Sequence, residues 1–154
     1  MLEGRPLDDE AFLFLEDVLA HQDDGVRSRY QGLGFSGDKG NRIKNQLVRN
    51  GILEEQEVRV GRTYKVLLRI TPQARQRLGL KKSMERGSLA HEYWKRFYAS
   101  CLRSQRYEVQ LEAPRKPGQP GWVDVLAKNA DETVGVEIET GKSDILGNVK
   151  QDLL

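Results

Sequence analysis

Residues 122–144 read WVDVLAKNADETVGVEIETGKSD, two short apolar runs, the first carrying Asp124 and the second Glu137 and Glu139. Side chains two apart on a strand share a face. The expected reading is therefore a β-hairpin in which Glu137 and Glu139 point one way and Val136 and Ile138 the other, with Asp124 between Val123 and Val125 on the facing strand and a turn around Asn129 to Glu132. Carboxylates inside core strands cost free energy unless something positive meets them, and a divalent cation held by oxygen ligands is one answer. The other is a solvated face on an edge strand, with Asp124 paired to a surface arginine.

Working outward, 154 residues allow one domain or two small ones. With 38% hydrophobic and 31% charged residues the composition is that of a globular protein. No apolar run approaches the roughly 18 residues of a membrane span, and the acidic, polar N-terminus shows no secretory signal. A single cysteine, Cys101, fits a reducing, cytoplasmic setting. With His21 and His91 as the remaining soft ligands, a structural zinc site is not expected, which leaves oxygen donors for any metal.

The net charge of +2 conceals an asymmetry. Residues 1–24 hold eight acidic side chains and one basic, whereas residues 36–82 hold twelve basic and four acidic. Such an excess is the footprint of a polyanion partner or, equally, a solvated basic face.

Along the chain, residues 8–22 form a first expected helix, capped by Asp8, Asp9 and Glu10, with Phe12, Leu15, Val18 and Leu19 as its apolar stripe. A shorter helix follows Gly25 and stops at Gly32 or Gly34. Ser36 caps a third, with Ile43, Leu47 and Val48 inward, which Asn50-Gly51 ends. The period then changes: 57–60 and 63–70 are β-like and joined at Gly61-Arg62, and Thr71-Pro72 starts a helix that closes before Gly79. The charged stretch LKKSMERGS reads as a linker, placed at 81–88 between domains 1–80 and 89–154. A helix over 89–104 carries an aromatic stripe, Tyr93, Phe97 and Cys101 with Leu89, Trp94 and Tyr98, expected in a core. YEVQLEA is the first strand of the second domain, RKPGQPG a loop, and the opening hairpin supplies strands two and three before a helix capped by Ser143. The fold class is thus α+β.

SGDKGNRIKNQLVRNGILEE, with RITPQARQRLG, resembles the winged helix-turn-helix family over the first half of the chain. The resemblance implies double-stranded DNA as partner, the third helix in the major groove and the hairpin along the backbone. Lys39, Arg42, Lys44, Asn45 and Arg49 on the helix and Arg62 and Lys65 on the hairpin would make the contacts, mostly to phosphate.

The second half, through VDVLAKNADETVGVEIETGKSD, is similar to the PD-(D/E)xK, or restriction-endonuclease-like, nuclease superfamily and implies an αβββα core. By that resemblance Asp124 and Glu137 hold Mg²⁺ or Mn²⁺, Glu92 is the helical carboxylate, and the expected activity is metal-dependent hydrolysis of DNA. The sequence departs from the pattern at the lysine two positions after the second ligand, where Glu139 stands; on the resemblance Glu139 joins the metal site in that position, or Lys142, three residues on, reaches back into it. Gly141-Lys142-Ser143 does not complete a P-loop, because Val136 occupies the required glycine position, so no nucleotide cofactor is expected. The nuclease core of that superfamily continues beyond the last helix, so a truncated domain is expected. The open sheet edge points to pairing with a second copy, a homodimer.

Overall fold

The computed structural model describes residues 7–139; Lys142, the Ser143 cap and the final helix lie outside them. The chain divides into two compact units, Met1–Ala90 and His91–Leu154. Both are mixed α and β with small antiparallel sheets.

The first unit runs α1 (Asp9–Ala20), α2 (Val26–Leu33), α3 (Gly37–Arg49), β1 (Leu53–Val60), β2 (Thr63–Ile70) and α4 (Pro72–Arg77). Its boundaries follow local chemistry. The Asp8 carboxylate accepts from the Ala11 N–H, Ser36 from Lys39, and Thr71 from Ala74, each meeting a donor that a helix start leaves over. Gly34 ends α2 at φ 70°, the left-handed region that a side chain would resist. β1 and β2 pair from Leu53↔Ile70 to Val60↔Thr63. β1 begins at Leu53 rather than Glu57, because Ile52 and Leu53 leave the α3 stop directly into the core.

The core joins Phe14, Leu15, Val18, Tyr30, Ile43, Leu47, Leu53, Leu68 and Ile70. Phe12 is not part of it: at 47% exposure it lies outward, and the stripe is Ala11, Phe14, Leu15 and Val18, spaced i, i+3, i+4, i+7. The buried Arg29 guanidinium ties α1 to α2 by bonding Asp17 and the carbonyls of His21 and Asp24. α2 and α3 meet where Gly40 faces the Tyr30 ring, and a Cβ there would stand 2.5 Å from ring carbons. Tyr30 is buried and its hydroxyl donates to Asn41 at 2.9 Å, so the ring cannot swing aside. Gly40→Ala gains up to about 1 kcal/mol of helix propensity but meets an overpacking cost of about 1–3 kcal/mol or more. A net loss of stability is expected, read as a lower urea midpoint by circular dichroism; an unchanged or higher midpoint would refute the contact.

The second unit takes most of α5 (Leu89–Ser104), then β3 (Glu108–Pro114), β4 (Trp122–Lys128) and β5 (Thr133–Val136), in sheet order β3-β4-β5, all antiparallel. The β4–β5 turn is held by Asn129, whose side chain accepts from the N–H groups of Asp131 and Glu132.

Three expectations change here. β5 ends at Val136, so Glu137 and Glu139 are not strand residues. The reason is Asp124: continuing the ladder would set Asp124 opposite Glu137, but its carboxylate takes the Ile138 N–H at 2.8 Å, substituting for a backbone acceptor. The aromatic stripe of α5 is buried only at Leu89 and Tyr93. Glu92, Lys95 and Ala99 share that buried face, while Phe97 and Tyr98 are exposed and pack edge-on with each other, and Cys101 is half-buried. Third, 81–88 is no free tether. Arg69 bonds Glu85 and the Gly87 carbonyl, the Ala90 N–H donates to Gln56, and the unit boundary falls after Ala90, inside the first turn of α5.

Candidate functional site

Four carboxylates of the second unit converge with three basic side chains. Asp124, the third residue of β4, receives the Ile138 N–H on one oxygen and faces His91 Nε2 at 3.1 Å on the other. Glu137, just past β5, lies beside Asp124 and pairs with Arg115 at 2.7 Å. Glu92 and Glu112 share one ammonium, Lys95 Nζ, at 2.7 and 2.5 Å. Lys95 and Glu92 are almost wholly buried, at 3% and 2% exposure, which makes their mutual pairing obligatory.

The backbone is shaped to this cluster. Glu112 has φ 52°, a conformation disfavoured for a residue with a Cβ. It sits in register opposite Asp124, between the pairs Leu111↔Val125 and Ala113↔Val123, yet does not pair itself. In flat antiparallel geometry two carboxylates would stand directly opposite, a repulsive arrangement; instead Glu112 bonds Lys95 and Asp124 bonds His91. Gly121, at φ 93°, lies under Arg115, since a Cβ there would come within 3.4 Å of its Nε. The glycine- and proline-rich loop thus leaves room for the guanidinium that meets Glu137.

The titrations follow from these contacts. Burial works to raise Asp124, but the His91 ring, the Ile138 N–H and the Glu137 carboxyl outweigh it and hold the group below its ordinary 3.8. The hydrogen bond to Asp124 raises His91 above 6.5, against burial. Burial would lower Lys95, yet bonds from Glu112 and Glu92 raise it, so it stays an ammonium. A raised histidine stabilises the fold below its unfolded value and loses that contribution as pH climbs through the raised one. A depressed aspartate contributes above its unfolded value and loses that as pH falls through the depressed one. The pair is therefore strongest between 3.8 and 6.5. In metal-free protein His91 is expected to titrate above 6.5 by NMR and to fall back in Asp124→Asn; a value below 6.5 in the parent chain would rule the bond out.

The structure thus brings Asp124, Glu137 and Glu92 into one neighbourhood; Glu139 follows Ile138, half-buried, and Lys142 lies outside the described residues. His91, Lys95, Glu112 and Arg115 were not legible as site residues. Only the i, i+3 spacing of Glu92 and Lys95 hinted at them, and the aromatic stripe masked it. For a divalent cation the donor set is sound in kind: ligand atoms of His91, Glu92 and Glu112 lie within 4.8 Å of one another, and Asp124 and Glu137 are adjacent. Lys95 already supplies the positive charge to Glu92 and Glu112. Asp124 and Glu137 are held instead by a histidine and an arginine, one partner each, and are the carboxylates better placed to exchange partners.

On the first unit the basic candidates separate into two groups. Lys39 pairs with Glu10 and sits over the Phe35 ring, Lys44 pairs with Glu55 at 2.6 Å, and Lys65 reaches the Asp23 carbonyl. Arg42, Asn45 and Arg49 are exposed and, with Gln46, recur at i, i+3, i+4, i+7 as one outward stripe of α3; Arg62 is exposed at the hairpin tip. Comparison with family models, curated proteins and solved structures returned no match.

Proposed function

We propose that the chain is a DNA-binding protein with a metal-dependent endonuclease-like unit, its first unit a winged helix-turn-helix and its second a restriction-endonuclease-like core. The observation carrying this reading is the adjacency of Asp124 and Glu137 at one end of a three-stranded sheet, with Glu92 buried nearby on the preceding helix. Bound by Asp124 and Glu137, Mg²⁺ or Mn²⁺ would supply Lewis acidity and an acidified water for attack on a phosphodiester. His91 and the Ile138 N–H orient Asp124, and Arg115 orients Glu137. Lys95 is a positioning residue that neutralises Glu92 and Glu112, the positive charge that the Glu139 position does not provide. Supercoiled plasmid should be nicked with Mg²⁺ or Mn²⁺ and left intact under chelation; intact plasmid in both while DNA binding persists would overturn the nuclease reading.

A second reading is favoured by one observation: each of these four carboxylates already has a basic partner within the unit. On that reading the network is structural and the chain is a non-catalytic DNA-binding regulator whose second unit serves assembly. The same assay separates the two.

The DNA face narrows to α3 and the hairpin tip. Arg42, Asn45 and Arg49 would face the groove, Arg62 the flanking backbone, while Lys39, Lys44 and Lys65 already have partners at the surface of the unit. Replacing Arg42 and Arg49 by alanine is expected to weaken duplex binding and reduce the slope of log K against log salt by about 2, close to one for each phosphate that is no longer neutralised. Gel shifts across a salt series measure it, and an unchanged slope would remove this face from the interface.

A further inference from the structure

One concavity of the first unit lies away from its basic helix. A cavity of about 600 Å³ opens between the end of β2, α4 and residues 80–87. Its walls are apolar at Ile70, Pro72 and Leu80 and basic at Arg75, Lys82 and Arg86. The size is that of pockets for small organic molecules. From this lining we infer that the cavity binds a small organic anion with an apolar body, an aryl or alkyl carboxylate.

Three features support the assignment. The segment over the cavity is fastened at both ends: the Leu80 N–H donates to the Arg75 carbonyl, Arg75 Nη1 to the Lys81 carbonyl at 3.1 Å, and Arg69 to Glu85 and the Gly87 carbonyl. The space is thus built into the fold, and its walls need no rearrangement to receive a ligand. Next, Arg75 Nε is buried with no hydrogen-bond partner among the described residues, a donor whose desolvation is uncompensated. Arg75 lines the cavity, and a guanidinium is a common partner of a carboxylate. Finally, the lining holds four basic side chains, Arg69, Arg75, Lys82 and Arg86, against one acidic side chain, Glu85, a balance that favours an anion. Residues 80–87 also lead into α5, and an occupied cavity would hold that connection against the first unit. The cavity and its ligand are independent of the nuclease reading.

The test uses the full chain and two probes of similar size, 2-naphthoate and its neutral counterpart 2-naphthylmethanol, followed by calorimetry and amide NMR. Naphthoate is expected to bind with one site per chain, at least about tenfold tighter than the alcohol, with perturbed amides clustered in 69–87. Arg75→Met should weaken naphthoate about tenfold, and Ser83→Phe, which fills the cavity from its half-buried rim, should block both probes. Absence of naphthoate binding at millimolar concentration, equal binding of the alcohol, or perturbations confined to the exposed aromatics of α5 would each overturn the assignment. The first two comparisons require no variant, so a misfolded mutant does not leave the question open.

Discussion

Lys95→Met is expected to destabilise the second unit by about 3–5 kcal/mol, the range for removing one partner of a buried ion pair. The side chain keeps its length and loses its ammonium, leaving Glu92, at 2% exposure, and Glu112 with ligand atoms within 4.8 Å of each other and no cation between them. That loss is comparable to the whole stability of a small domain. Both tryptophans, Trp94 and Trp122, lie in the second unit, so their emission reports its urea transition separately from the first unit. The sign with pH is specific. Burial and a like charge raise a carboxyl's folded pKa, so the variant should gain more stability than the parent as pH falls toward that raised value. Two rescues follow from the same geometry. Glu92→Gln in the Lys95→Met background should recover part of the loss, since the isolated charge is gone. Mn²⁺ should raise the variant's midpoint more than the parent's, because His91, Glu92 and Glu112 are then left without the ammonium that competes for them. A parent-like midpoint in the single variant would show that the ammonium is not needed.

The second large effect is on chemistry. Asp124→Asn and Glu137→Gln should each lower Mg²⁺- or Mn²⁺-dependent nicking by at least about 100-fold, since a metal-held water and a polarised phosphoryl oxygen are worth several kcal/mol of barrier and about 1.4 kcal/mol is tenfold. The amides are chosen to keep the fold. An asparagine oxygen can still accept the Ile138 N–H, and a glutamine oxygen the Arg115 guanidinium, so urea midpoints should move far less than activity. DNA binding through α3 should be unaffected. Nicking that survives both substitutions would place the chemistry elsewhere, and equal inertness of parent and variants would favour the structural network. Glu92→Gln is less informative, because losing that charge also unbalances Lys95.

Much of the architecture was legible. The caps at Asp8, Ser36 and Thr71, the stops at Gly34 and Asn50-Gly51, and the two-residue turn at Gly61-Arg62 lie where residue chemistry sets them, and α5 spans the range its period marks. These are local effects, decided within four or five residues. Errors began where a choice of face depended on what packs against it. Phe12 and Phe14 are two residues apart in one helix, and composition cannot rank them; in the fold Phe14 is buried and Phe12 is not. On α5 the aromatic residues suggested the inward face, yet a lysine and a glutamate share it with Leu89 and Tyr93 because Glu112, seventeen residues after Lys95, was there to bond, and Phe97 and Tyr98 lie outward.

The same division runs through the candidate site. Sequence by itself determined that Asp124 lies between two apolar strand residues and that Glu137 belongs to the second apolar run, so two carboxylates had to come close across a hairpin: the pairing period of two leaves little else. Only the tertiary structure decided what faces them. The strand ends at Val136 because a side chain captured the next N–H, and the three positive partners arrive from a helix and a loop that no spacing rule connects to the hairpin. On α3 the charge excess was visible in the sequence, but which cations are paired was set by Glu10 and Glu55, which meet Lys39 and Lys44 and leave Arg42 and Arg49 exposed. Charge is a property of composition, whereas its availability depends on which opposite charges the fold brings within reach.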